Sequence, residues 1–330
     1  MPKMNRRAAR KPGVMKRWDS TVYSRSNESI SVSDALEKVM LVYETEGYRE
    51  KTVRSYRSYY EEFIEIVRRE NVSDITKDDA RRYIKFLLDK RGLSPVTVNI
   101  RLASLRSVFN RMVSENILEE SPLDSVKKLR TDEGKVFSLT DNQVTRLFNA
   151  VDTDTFAGYR DYVAMLVMLK SGLRSNEVNS LDIIDLDLDN RVMMLPGAKN
   201  KNRKSRSVPM TVQVAQEVRN LIAEEREYFG PDIQKVFVSQ FGQQLRDDHL
   251  RKRLDKYARK AGLKGECRAS PHSLRHTFAV RFLSSGGDLK SLQSILGHSD
   301  LASTEVYVKY TDERVKENFD KVTAKDTKRL

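Results

Sequence analysis

The stretch Ser270-Pro271-His272-Ser273-Leu274-Arg275-His276-Thr277-Phe278-Ala279 is followed by Leu296-Gly297-His298 and then by Glu305-Val306-Tyr307. Ser270 has the side chain of a helix N-cap and Pro271 suits the first helical position, so a helix is expected to open here. His272 and Arg275 then stand three residues apart on one face, near the positive end of that helix. That end favours an anion, and a phosphate suits it. Tyr307, nine residues beyond His298, is a candidate nucleophile. Two histidines, an arginine and a tyrosine with few acids beside them describe an anionic substrate attacked without a metal. His272 and His276 do share the i, i+4 spacing of a zinc helix, but Ser273 stands where a metalloprotease carries glutamate and no third ligand is evident. No metal is expected.

The rest of the chain supports a polyanion as partner. Its 330 residues suit about two domains, and 60 Lys and Arg against 47 Asp and Glu leave a net charge of +13. Nucleic acid is the partner such a balance favours. The single cysteine, Cys267, rules out an internal disulfide and fits a reducing cytoplasm. No apolar run approaches the ~18 residues that span a bilayer, and the basic N-terminus lacks the apolar segment of a secretory signal. A cytoplasmic, nucleoid-associated protein without a membrane partner is expected.

Residues 1–28 hold eight Lys and Arg against Asp19 and Glu28 without apolar periodicity, which reads as a basic flexible arm. Residues 29–130 repeat a helical pattern four times. Val32, Leu36, Val39, Met40 and Tyr43 mark the first helix. Thr52 is expected to cap the second, with Tyr56, Tyr60, Phe63, Ile64 and Val67 on its apolar face. Thr76 precedes a short third, and Ser94-Pro95 opens a fourth with Leu102, Leu105, Val108, Phe109 and Met112 inward. Arg54 and Arg57 on the second helix, and Arg101 and Arg106 on the fourth, are candidate DNA contacts. Pro122 and the charged run from Lys127 to Lys135 read as a linker. Beyond it, a long apolar helix to Lys170 ends at Gly172, and Arg174 begins the next turn. Arg191-Val192-Met193-Met194-Leu195 and Ser205-Arg206-Ser207-Val208-Pro209 read as the strands of a hairpin. Its tip carries Lys199, Lys201, Arg203 and Lys204, the last two as further DNA contacts.

Taken together these motifs resemble the tyrosine recombinases, the family of phage integrases, Xer-type resolvases and integrases of conjugative elements. Gly172-Leu173-Arg174-Ser175-Asn176-Glu177 matches the first arginine motif, His272-Ser273-Leu274-Arg275 the His-x-x-Arg motif and Leu296-Gly297-His298 the Leu-Gly-His motif, with Tyr307 as nucleophile. Tyr310 stands only three residues on, and the gap from His298 favours Tyr307. The resemblance implies a mainly α fold with a small β-sheet or hairpin, arranged as a two-domain DNA clamp. A helical SAM-like core-binding domain (29–130) would face a catalytic domain (131–311), with a C-terminal tail (312–330) able to dock on a neighbouring protomer.

The same resemblance implies site-specific DNA recombination through a 3′-phosphotyrosyl intermediate and a Holliday junction. Double-stranded DNA with specific sites would be the substrate, a homotetramer on paired sites the assembly, and DNA-bending or directionality proteins the accessories. Neither ATP, metal nor other cofactor is implied. Arg174 and Arg275 would hold the phosphate, His272 would accept the tyrosine's proton and His298 would donate to the phosphate. A hairpin lysine, Lys199 or in its place Lys201, would protonate the leaving 5′-oxygen. Glu177 would orient a basic partner and His276 would support the core. Two other readings remain open on the residues: a type IB topoisomerase, and a non-catalytic DNA-binding regulator on the same fold.

Overall fold

The computed structural model describes residues 29–131, 137–197 and 204–308. The basic arm, Tyr310, the C-terminal tail and the hairpin tip with Lys199, Lys201 and Arg203 lie outside the described residues. The chain divides into two compact units, Met1–Glu133 and Gly134–Leu330.

Polar caps start the helices of the first unit where the apolar periodicity begins. Ser31 accepts the Asp34 amide and opens α1 (Val32–Thr45), and Thr76 and Asp79 form a reciprocal capping box at α3 (Lys77–Asp89). Ser94 and Pro95 open α4 (Pro95–Ser114). The second helix, α2 (Glu50–Val67), begins earlier than Thr52 predicts. A tight turn, closed by the Tyr48 amide on the Tyr43 carbonyl at 2.9 Å, delivers the chain already aligned, so Arg49 becomes the N-cap and Thr52 falls inside the helix. The four apolar faces meet in one core that includes Tyr43, Tyr60, Phe63, Tyr83, Leu102 and Phe109. Two T-shaped ring pairs, Phe63–Tyr83 and Phe63–Phe109, lock α2 against α3 and α4.

In the second unit, α6 (Phe156–Ser171) is buried on nearly every side and forms the centre around which the other elements pack. The helix α10 (Pro271–Ser284) lies against it. Around this pair come α5 (Asp141–Asn149), α7 (Ser175–Asn179), α8 (Val212–Phe229), α9 (His249–Lys260), α11 (Leu289–Leu296) and α12 (Ala302–Glu305). A buried carboxylate on α6, Asp161, accepts from Arg160 at 2.8 Å and from Tyr257 at 2.7 Å, and pairs with Arg253. Burial alone would raise its pKa, but these partners and His249 hold it down to about 2. The sheet is antiparallel in the order β1-β2-β3, with β1 Leu186–Asp187, β2 Val192–Leu195 and β3 Arg206–Pro209. The hairpin expectation missed β1, whose two residues are too few to show an alternation. Pairing of Leu195 with Arg206 fixes where the first side chain of β3 enters the site.

Candidate active site

Two helix ends and one helix start meet at the site. Gly172 caps α6 with φ 68°, and a Cβ there would lie 2.4 Å from the Phe278 ring on α10. Glycine is therefore required both for the left-handed turn and for the close approach of the two helices. The Gly172 carbonyl accepts from Arg275 Nη1 at 2.6 Å, and the Leu296 carbonyl at the end of α11 accepts from Arg275 Nη2 at 2.7 Å. A third contact links Arg275 Nη2 to His298 Nε2 at 3.1 Å. Arg275 is only 4% exposed, and these three partners are two carbonyls and an imidazole, none of them an acid. Burial and the like charge of Arg174 press its pKa down to about 9, so the guanidinium remains charged at neutral pH. A buried cation held by neutral groups is a receptor for an anion.

Arg174 is the N-cap of α7, where its amide donates to Glu177 Oε2 at 2.9 Å and its Nη1 to Glu177 Oε1 at 2.8 Å. Glu177, 2% exposed, also accepts from Arg206 Nη1 at 3.1 Å and Nη2 at 2.8 Å. Burial pushes its carboxyl up, and the hydrogen bonds and charges of Arg206 and Arg174 overcome this and hold it below the usual carboxylate range. Arg206 completes the frame by donating from Nε to the Ile295 carbonyl at 2.8 Å. Its importance was not visible in the sequence, where it is only one residue of a hairpin strand.

Tyr307 is 3% exposed, with its hydroxyl 2.8 Å from His276 Nδ1. Burial raises the phenol's pKa, and Arg275 and Arg174 offset part of that rise. The His298 ring lies nearly parallel to that of Tyr307, with 6.4 Å between centroids. His298 Nδ1 meets Thr304 Oγ1 at 2.9 Å while Nε2 faces Arg275. An arginine can only donate, so Nε2 is the bare nitrogen and Nδ1–H donates to Thr304. Burial, Arg275 and Arg174 lower His298 to about 4, keeping it neutral. His272 is exposed on the first turn of α10, its ring centroid 6.3 Å from that of His276. Among the described residues, no cluster of acids, histidines or cysteine could hold a metal.

Four of the arginines read as DNA contacts, Arg54, Arg57, Arg101 and Arg106, belong to the first unit and carry partners of their own. Arg54 pairs with Glu50 on the same helix, and Arg57 donates from Nη2 to Glu37 at 2.9 Å. Arg101 is drawn inward, its side chain 14% exposed, bound to Glu62 and over the Tyr59 ring. Arg106 Nη2 donates to the Val126 carbonyl at 2.6 Å. A phosphate would have to compete with each of these contacts. Lys204 is exposed two residues before β3.

Residues 138–314 match the phage integrase family, and residues 35–119 match the phage integrase N-terminal SAM-like domain. The chain belongs to the phage integrase family. It is 31% identical to tyrosine recombinase XerC of Chlamydia caviae, over 70% of this chain and 73% of that one. It is 32% identical to tyrosine recombinase XerC of Pelotomaculum thermopropionicum, over 76% of this chain and 81% of that one. The chain is thus a tyrosine recombinase, an enzyme of site-specific DNA recombination. The same fold occurs in the Tn1549 transposon integrase in complex with transposon right end DNA, at TM-score 0.68 and 21% identity over 87% of this chain and 100% of that one. It occurs again in a lambda integrase tetramer bound to a Holliday junction, at TM-score 0.68 and 15% identity over 87% and 83% of the two chains. No helix among the described residues is long and apolar enough to cross a membrane.

Proposed function

We propose that Tyr307 attacks a scissile phosphate in double-stranded DNA, forming a 3′-phosphotyrosyl bond and releasing a 5′-hydroxyl. The observation that carries this reading is Arg275, a buried guanidinium held by neutral groups beside Arg174 and close to Tyr307. The phosphate takes the place of a counter-ion between the two arginines. Donors preorganised in this way stabilise the charge that gathers on the non-bridging oxygens by about 3–4 kcal/mol each. His298 joins them by donating from Nε2 once the phosphate replaces it as a partner of Arg275. This requires that nitrogen, bare in the unbound site, to take up a proton as the anion arrives. The phenol's proton passes to a histidine of α10, and the leaving 5′-oxygen takes a proton from Lys199 or, two residues on, Lys201. Attack by a partner strand's 5′-hydroxyl rejoins the DNA, and a second round resolves the Holliday junction. The bond energy stays in the covalent intermediate, so ATP and metal have no step to perform.

The first unit grips the duplex on which the catalytic unit acts, and four protomers act on paired sites, in the cytoplasm at the nucleoid. The arm of residues 1–28 tracks the DNA backbone, residues 312–330 dock on a neighbouring protomer, and accessory DNA-bending proteins set direction. The test is covalent trapping on a pool of nicked duplexes drawn from the source DNA, in chelator, comparing wild type with Tyr307→Phe. A protease-sensitive adduct confined to wild type supports the reading. Salt-sensitive binding without any adduct refutes it and favours a non-catalytic DNA-binding regulator.

A further inference from the structure

We propose that His276 is the residue that takes the phenolic proton of Tyr307, and that it keeps that proton through the covalent intermediate. The proposal rests on Tyr307 being the nucleophile and assigns the base that serves it. His276 Nδ1 lies 2.8 Å from the Tyr307 hydroxyl, within the reach a general base needs, with ring centroids 5.5 Å apart. The neighbouring residue on α10 is Arg275, fixed by the Gly172 and Leu296 carbonyls. One residue further along a helix turns the side chain by about 100°, so anchoring Arg275 aims His276 at Tyr307.

The direction of this hydrogen bond follows from the state of both partners. Burial, then the charges of His272 and Arg275, keep the His276 imidazole neutral at neutral pH, while burial keeps the phenol protonated. Tyr307 therefore donates and His276 Nδ1 accepts, which places the ring proton on Nε2. The other histidine beside Tyr307 has the opposite tautomer. His298 directs its bare Nε2 at Arg275 and its Nδ1–H at Thr304, so its acceptor nitrogen is turned to a cation that cannot give it up without moving. The two histidines flanking the nucleophile are thereby assigned different tasks.

As the phenol O–H bond breaks, the proton moves to Nδ1, the phenolic oxygen bonds to phosphorus and the bond from phosphorus to the 5′-oxygen breaks. The leaving oxygen is protonated from a hairpin lysine. When a 5′-hydroxyl later expels the tyrosine, the His276 imidazolium returns its proton to the phenolic oxygen. The substrate also tunes the base: the negative charge of a bound phosphate opposes that of Arg275 and strengthens the imidazole as a proton acceptor. The titratable groups around His276 in this exchange are His272 and Arg275 on its own helix and Tyr307 across from it.

Single-turnover cleavage of the trapped nicked duplex tests this with full-length wild type, His276→Ala, His276→Asn and His272→Ala between pH 5.5 and 9. His276→Ala is expected to cleave at least about 100-fold more slowly at pH 7, with a rate rising about tenfold per pH unit as solvent must ionise the tyrosine. The deficit should persist on a substrate whose 5′-bridging oxygen is sulfur, because a thiolate leaves without a proton and only nucleophile activation remains. His276→Asn restores a hydrogen-bonding side chain but cannot carry the proton, and should remain as slow. A rate within threefold of wild type for His276→Ala with an unchanged pH profile overturns the assignment. So does recovery in His276→Asn, or the same signature appearing in His272→Ala alone. If wild type itself forms no adduct while binding DNA, the nucleophile reading fails and this assignment falls with it.

Discussion

Replacing Glu177 by glutamine should destabilise the second unit by an amount that disappears in acid. The wild-type carboxylate, 2% exposed, accepts four hydrogen bonds, two from Arg174 and two from Arg206. Glutamine keeps the shape but offers one acceptor oxygen and turns an NH2 group towards donors. Breaking one side of a buried ion pair typically costs about 3–5 kcal/mol, and Arg206, its side chain 9% exposed, is the charge left behind. With a urea slope of about 2 kcal/mol per molar, the midpoint should fall by roughly 1.5–2.5 M at pH 7. The folded carboxyl is held below its ordinary range, so its contribution is complete above the unfolded pKa, about 4.3, and is lost as pH falls through the folded value. Wild type and Glu177→Gln should therefore converge in acid. Cys267 is the chain's single cysteine and packs against the core of this unit, so its labelling by a thiol reagent along a urea series follows this unit alone. A midpoint shift below about 0.5 M at pH 7, or one of equal size at pH 7 and in acid, refutes the account of Glu177 as the charged hub of the site.

The same frame makes Arg206→Met strongly damaging to stability, and the double variant with Glu177→Gln should cost less than the sum of the two by about 1–3 kcal/mol, read from the same urea series. Gly172→Ala should lower the melting temperature by several degrees and slow cleavage, because a Cβ meets Phe278 at 2.4 Å in a left-handed turn. His276 and His298, both lowered to about 4, stay neutral where unfolded histidines take up protons. Their contribution to stability is complete above about pH 6.5 and is lost as pH falls towards 4. Urea midpoints should decline across that window, and less steeply in His298→Gln.

Much of the architecture could be read in advance because it is written in local chemistry. Ser94-Pro95 and Ser270-Pro271 mark helix starts through side chains and fixed φ angles that act within a single turn. Gly172 and Gly297 mark ends for the complementary reason. What escaped reading depends on partners that only the fold brings together. Arg206 and Glu177 are 29 residues apart, and His276 and Tyr307 are 31 apart, with no periodic pattern linking either pair. Arg101 shows the converse: its position on a basic face suggested a DNA contact, yet it lies at the edge of the buried stripe and meets Glu62 there. A two-residue strand such as β1 leaves no trace in a pattern of alternation.

The central claim is that Tyr307 is the residue joined to DNA. Mass spectrometry of the peptide left on trapped DNA after protease and nuclease digestion tests it most directly. The account predicts a nucleotide on Tyr307 in wild type and no adduct in Tyr307→Phe. A nucleotide on Tyr310, or an adduct that survives in Tyr307→Phe, would contradict it.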